Sequence, residues 1–324
     1  MSEKYISQRK ISGSHESANF ENRVLDECTL VSVPGSSLSL KSSVLNNCTF
    51  LNMKLSGADF SGAILNDCKF VDCDASECKF ERTVFSNCNS IGMSWNKSKI
   101  ERCSFTGCDM TGTDWTGTIL FDTAFNACHL SEARFVDICW TNFAISEANF
   151  SETVFAPTEI ERGVMMQCDF SGLDLCRTSL KNCTFNASTF GGVTAKRALI
   201  DGCLFLDCCI ESSSFEFSSI AYCSFTRSNI TATSFDASNL RSANFDAVKA
   251  TDISFRRADL EGSRMCSATL MGASFQDSIL TKANFQDCAG RDVIFSGALL
   301  EDCNWEGAVF DHALEQAESL ELSN

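Results

Sequence analysis

The sequence predicts an all-β fold, a parallel β-helix wound from five-residue units, and three observations carry that expectation. Large apolar residues recur at every fifth position from Phe20 to Phe310. Small residues recur two positions before each of them. All four tryptophans (Trp95, Trp115, Trp140, Trp305) and 24 of the 27 phenylalanines fall in the same phase, which excludes the 3.6-residue helix period and the two-residue strand period as the organising pattern.

Of the 59 large positions between 20 and 310, 53 hold Phe, Leu, Ile, Met or Trp; Gly35, Ala75, Ser90, Ala195, Ala250 and Gly290 do not. At 51 of the 59 small positions stands Ala, Cys, Ser, Thr, Val or Gly, as in Ala58-Asp59-Phe60-Ser61-Gly62. Each unit therefore carries one large and one small inward residue. A length of 324 residues would ordinarily suggest two domains, but a repeat can carry it as one element. With 44% hydrophobic residues and two prolines, a sizeable core is available.

The units resemble the pentapeptide-repeat family, whose motif is a small residue, Asp or Asn, Leu or Phe, a polar residue, then often Gly. The resemblance covers about nine tenths of the chain. It implies a right-handed quadrilateral solenoid in which four units make one square coil, so the chain holds about 15 coils. Residues 20 apart then lie above one another. Phe215, Phe235, Phe255, Phe275 and Phe295 form one predicted ladder, and Phe185, Phe205, Phe225 and Phe245 another on a neighbouring face. The residue before the large centre is Asp or Asn in only 15 of the 59 units, so turn details are expected to vary along the stack. Glycines such as Gly57, Gly62, Gly107, Gly112 and Gly117 fall at corners and read as turns.

The expected organisation is a polar N-terminal segment or cap over 1–16, the β-helix over 17–312, and a C-terminal helical cap over 313–324. In that last stretch Leu314, Ala317 and Leu320 are spaced along one face of a helix, and they are the candidates for a homodimer contact through the terminus.

Twenty cysteines invite a metal or disulfide reading. Sixteen of them occupy the small inward slot, interchanging with Ala, Ser and Thr, where they act as small buried hydrophobes. Cys28, Cys48, Cys68, Cys88, Cys108 and Cys128 fall 20 apart in one column. A metal needs ligands converging on a point, not a line, so neither a metal nor another cofactor is expected. Cys139, Cys176, Cys209 and Cys266 face outward. Free thiols in this number favour a reducing compartment, and the opening residues lack the apolar stretch of a secretory signal, so the expected location is the cytoplasm. His15, His129 and His312 lie far apart with no nucleophile at a telling spacing, so no catalytic residue is assigned and no enzyme is expected.

A filled interior leaves function to the outer surface. The formal charge of −16 argues against direct contact with nucleic acid, which needs clustered Lys and Arg, and no apolar run is long enough to span a membrane. The expected partner is a protein. Acidic candidates for its contact are Asp122, Glu132, Asp137, Glu147, Glu152 and Glu159, which face a single base, Arg134, between residues 121 and 160. A second column of acids from Glu21 to Glu301 is followed by Arg82, Arg102 and Arg162 and reads as partly paired. Apolar candidates form two outward columns, Val24, Val44, Ile64 and Val84, and Val31, Leu51, Val71 and Ile91. The family resemblance implies a non-enzymatic interaction rod, and its best-understood role is the binding of DNA gyrase and topoisomerase IV by acidic dimers that mimic DNA, in antibiotic resistance or toxin immunity. The alternative is a secreted virulence effector or scaffold that binds another protein through the same surface.

Overall fold

The computed structural model describes residues 4–12, 18–156 and 159–311, and the chain divides into two compact units, Met1–Glu159 and Ile160–Asn324. Together the units hold about 15 turns of a parallel β-solenoid. The helical cap expected over 313–324, with Leu314, Ala317 and Leu320, lies outside the described residues.

In the first unit, short strands alternate between two faces: β1 (Tyr5–Ser7), β2 (Lys10–Ser12), β3 (Val24–Asp26), β4 (Thr29–Val31), β5 (Val44–Asn46), β6 (Thr49–Leu51), β7 (Ile64–Asn66) and β8 (Lys69–Val71). Odd-numbered strands pair in parallel with one another, and even-numbered ones do likewise. From β3 to β7 the partners are 20 residues apart, as in Leu45↔Leu65, which is one coil of four units. The offset between β1 and β3 is 19, with Ile6 opposite Leu25. The polar opening thus supplies strands to the stack, with Ile6 buried and Gln8 turning the corner at φ 51°.

In the second unit Val164–Met166 pairs with Thr184–Asn186, and that with Leu204–Leu206. Beyond these, isolated parallel bridges such as Ser214↔Ser234↔Ser254↔Ser274 keep the 20-residue offset.

Among the described residues the coils turn their corners by placing the second residue after the large centre in the left-handed region, with φ between 49° and 62° at the non-glycine corners; the exception is the 3-10 turn Gly35–Ser37. Gly57 at φ 82° and Gly62 at φ 69° suit this best, because a Cβ is penalised there. Corner amides then bond to the coil above, as Asn47 N–H does to Asn66 O at 2.9 Å.

Two kinds of corner occur. At tight corners the amide three residues after the centre closes back on the centre's carbonyl, as Ala63 N–H does on Phe60 O at 2.9 Å. At open corners short strands run up to the bend instead, as at β5 and β6. The Asp and Asn residues before the large centre sort by this difference: all fifteen precede tight corners. There the side chain accepts from the amide two residues on, Asp59 from Ser61 at 2.9 Å and Asp169 from Ser171 at 2.9 Å, a local turn bond open to Asx side chains.

The small slot sorts too. Twelve of the sixteen inward cysteines follow open corners, whereas of the inward alanines after a described corner only Ala148 does. Released from the turn, the open-corner amide takes an acceptor one coil above: Cys168 N–H donates to Ser188 Oγ at 3.1 Å, Cys208 N–H to Ser228 Oγ at 3.0 Å, and Cys203 N–H to Cys223 Sγ at 3.4 Å. The thiols in turn donate to carbonyls of the coil below, Cys48 to Leu25 at 3.5 Å and Cys88 to Leu65 at 3.5 Å. A small side chain with a polar atom serves both bonds; alanine serves neither.

Both predicted ring ladders form. Phe185, Phe205, Phe225 and Phe245 stack with centroids 4.9 to 5.1 Å apart, and Phe215 through Phe295 with 5.1 to 5.4 Å. They occupy opposing faces, not neighbouring ones, because ten residues is half a coil. Their rings meet edge to face across the interior, Phe225 on Phe235 at 5.5 Å and Phe245 on Phe255 at 5.3 Å. Two interruptions of the large position also have local causes. A Cβ at Gly35 would run into the Leu55 backbone, and one at Gly290 would come within 2.7 Å of the Phe310 ring.

Candidate interaction surfaces

Five of the six acidic candidates, Asp122, Glu132, Asp137, Glu147 and Glu152, stand at left-handed corners of the first unit. Their positions in the coil distribute them over all four corners, and Glu132 and Glu152 share one, joined by Glu132 N–H on Ser151 O at 3.0 Å. A corner side chain points away from the stack, so the carboxylates form a belt around consecutive coils. Asp122 is the member with an ion pair to a neighbouring coil, 3.7 Å from Arg102. Glu159 lies beside a large centre rather than on a corner.

The longer acidic column is largely neutralised on the spot. Glu81 lies 4.0 Å from Lys79 and 3.9 Å from Arg82, Glu101 2.7 Å from Lys99, and Glu161 2.6 Å from Arg162. Arg102 departs from the expected pattern by reaching up to Asp122 rather than to its neighbour Glu101.

Both apolar columns face outward in strict register, Val24↔Val44↔Ile64↔Val84 on one face and Val31↔Leu51↔Val71 on the next. Ile91 is 52% exposed and Val71 40%, while Val24 and Val44 are half-buried. The two stripes do not merge, because a corner column of Glu27, Asn47, Asp67 and Asn87 runs between them. Each is one residue wide.

Burial raises the Cys73 and Cys103 thiols to about 11 and Cys78 to about 12, whereas hydrogen bonds from the neighbouring thiols Cys68 and Cys108 lower Cys48 and Cys88. Among the described residues no three His, Cys, Asp or Glu side chains are placed to hold a metal ion. Cys139 is exposed, and Cys176, Cys209 and Cys266 are half-buried.

One feature escaped the sequence reading. Phe217 and Tyr222, 58% and 68% exposed, stand at consecutive corners of the second unit. Both are in the left-handed conformation, with φ 60° and 61°. The signal was present: Phe217 is one of three phenylalanines outside the common phase, with Phe121 and Phe143.

Coils of five-residue units with solid interiors define a repeat protein whose chemistry lies on its corners and faces. The family model of pentapeptide repeats matches eight copies over residues 39–70, 98–137 and 251–287, and over those stretches the chain is similar to the pentapeptide-repeat proteins. Such proteins are generally non-enzymatic structural or interaction proteins. No curated protein matches the sequence. Among solved structures, the chain is similar to a pentapeptide repeat protein, Rfr23, from the cyanobacterium Cyanothece 51142, at 26% identity over 27% of this chain and 60% of that one, with a TM-score of 0.27. It is also similar to HetL from Nostoc sp. strain PCC 7120, involved in heterocyst differentiation regulation (18% identity, 84% of this chain and 89% of that one, TM-score 0.26). A third is trypsin-treated QnrB1, a plasmid-mediated fluoroquinolone resistance protein (17% identity, 63% and 82%, TM-score 0.30). No helix among the described residues is long and apolar enough to cross a membrane.

Proposed function

We propose that this protein acts by binding another protein, and that the acidic belt of its first unit docks on the DNA-binding surface of DNA gyrase or topoisomerase IV. The observation that carries this reading is the placement of Asp122, Glu132, Asp137, Glu147 and Glu152 on corners around the coils, where carboxylates project as phosphates do from a duplex. The family resemblance supplies the partner. The formal charge of −16 favours encounter with a basic surface and weakens with added salt.

The test is a gyrase supercoiling assay, with and without a quinolone, at two salt concentrations. Inhibition or protection that falls as salt rises, and that falls further in a Glu132→Lys, Asp137→Lys, Glu152→Lys variant, is the expected result. Unchanged supercoiling by gyrase together with unchanged decatenation by topoisomerase IV would overturn the partner. A second reading, a scaffold or secreted effector, is favoured by the in-register column Val31, Leu51 and Val71 with Ile91 above it. It predicts that Val71→Asp with Ile91→Asp abolishes partner capture while the belt variant does not.

A further inference from the structure

The second unit carries a surface of opposite character. Its corner column reads Arg177, Arg197, Phe217, Ala237 and Arg257, all with φ between 55° and 62°. Corner amides tie each coil to the next, Phe217 N–H to Asp236 O at 3.0 Å and Ala237 N–H to Arg256 O at 2.8 Å. Arg256 stands beside Arg257, and both are exposed.

The unit's arginines divide sharply. Arg162, Arg227, Arg241 and Arg264 are ion-paired with acids. Arg177, Arg197, Arg256, Arg257 and Arg291 make no ion pair among the described residues, and four of those five converge on this column. In a chain with so many acids, leaving four guanidinium groups together and unmatched is a local excess of positive charge.

The aromatic pair adds a second, independent sign. Left-handed corners suit Gly, Asn and Asp and disfavour bulky side chains, and among the described residues with positive φ only Phe217 and Tyr222 are aromatic. Neither ring is buried in return for that cost. Between them the face is low, with Ser219 and Ala221. Gly202 and Ser242 flank Tyr222 at its corner, and Leu199, 56% exposed, lies on the coil beneath.

We infer that this corner is a docking site for an acidic peptide segment of a partner protein, one with an apolar side chain between its carboxylates. Four coil steps separate Arg177 from Arg257, which is about 19 Å at the ~4.8 Å spacing of strands and matches about six residues of extended chain. Carboxylates near each end meet guanidinium groups, for which their geometry is complementary, and an apolar side chain lies against Phe217 and Ala237. A nucleic acid fits less well. Asp277 closes the column above Arg257, while Glu216, held 2.9 Å from Lys196, and Asp236 interrupt it from the side, so no unbroken track exists for a phosphate chain.

The site is separate from the acidic belt and stands or falls without it. The probe is a fluorescein-labelled heptapeptide, Gly-Glu-Glu-Trp-Glu-Glu-Gly, titrated with the full-length protein and followed by anisotropy, with an all-Gln analogue and fluorescein-labelled oligo(dT) alongside. Saturable binding of the acidic peptide alone is expected. The double variant Arg197→Glu, Arg257→Glu should weaken it by roughly tenfold or more, and Phe217→Ser by roughly fivefold. Lys249→Glu with Lys282→Glu, an equal change of charge elsewhere on the unit, should leave it within about twofold. All three variants alter exposed side chains, and circular dichroism checks their fold. Absence of saturation, equal loss in the lysine variant, or tighter binding of oligo(dT) would each overturn the proposal.

Discussion

Coils 24–128 of the first unit and coils 209–287 of the second share a core and differ at their corners. In the first region open corners come in consecutive pairs between tight ones; in the second every corner is tight. The inward cysteines follow suit, and Cys223 is the one within the second stretch. The comparison teaches that the inward small residue is chosen by backbone bonding as much as by size. Where the turn closes on itself, alanine suffices; where it does not, the residue is most often a cysteine, which carries a donor and an acceptor. An unmet buried amide would otherwise cost about 1–3 kcal/mol.

The largest expected effect is a separation of the two regions in alkali. Burial raises Cys73 and Cys103 to about 11 and Cys78 to about 12 from the ordinary 9.0. A thiol whose value is higher in the folded chain than in the unfolded one contributes stability that is whole below pH 9. That stability is lost as pH climbs through 11 to 12. The coils that hold these three thiols should therefore lose stability before those of residues 209–287, where Cys223 is the one inward cysteine. Trp95, Trp115 and Trp140 all lie in the first unit, so fluorescence of a Trp305→Phe variant under reducing conditions should change at lower pH than the circular dichroism of the whole chain. Coincident midpoints would break the comparison.

Core truncation should sharpen it by showing no difference. Phe105 touches four rings, Phe85 and Phe125 at 4.7 Å, Trp95 at 6.0 Å and Trp115 at 6.2 Å. Phe235 likewise touches four, at 5.1 to 5.8 Å. Each Phe→Ala variant should lose about 3–5 kcal/mol in urea denaturation. A loss twice as large in one region would mean that cores as well as corners differ.

Cysteine replacement comes next in size. Cys88→Ala, in an open column, should cost about 2 kcal/mol, through lost volume and an amide left without its acceptor. Cys288→Ala should cost about half as much, because the amide beneath it, Ala268 N–H, keeps its turn bond to Met265 O at 3.0 Å. Smallest of all, Ala127→Gly at an open corner and Ala237→Gly at a tight one should each stabilise by about 1 kcal/mol, since both hold φ near 50° to 55°. Unequal gains would show that corner type reaches beyond hydrogen bonding.

The solenoid was legible because its period is set by inward residues, which sterics and burial constrain most tightly. The ladders were legible too, although opposing faces were taken for neighbouring ones, since a linear count does not display half a coil as directly opposite. Corner type was written in the Asp and Asn residues, all at tight corners, yet their scarcity read as irregularity. The belt acids could be found as a local excess of charge, but not as corner residues until the coil was wound. The stretch from Arg177 to Arg257 was hidden for the same reason: residues 20 apart in an acidic background show no cluster in one dimension.

The 19-residue offset at β1 has a consequence for how such a chain changes over generations. Within the stack, loss of a single residue would turn every following inward side chain outward, so viable insertions and deletions come in whole units, and most safely in whole coils. Among the described residues no strand lies beneath β1 and β2 to fall out of step. That layer is therefore where single-residue drift is tolerated, and where lineages of this protein should record it.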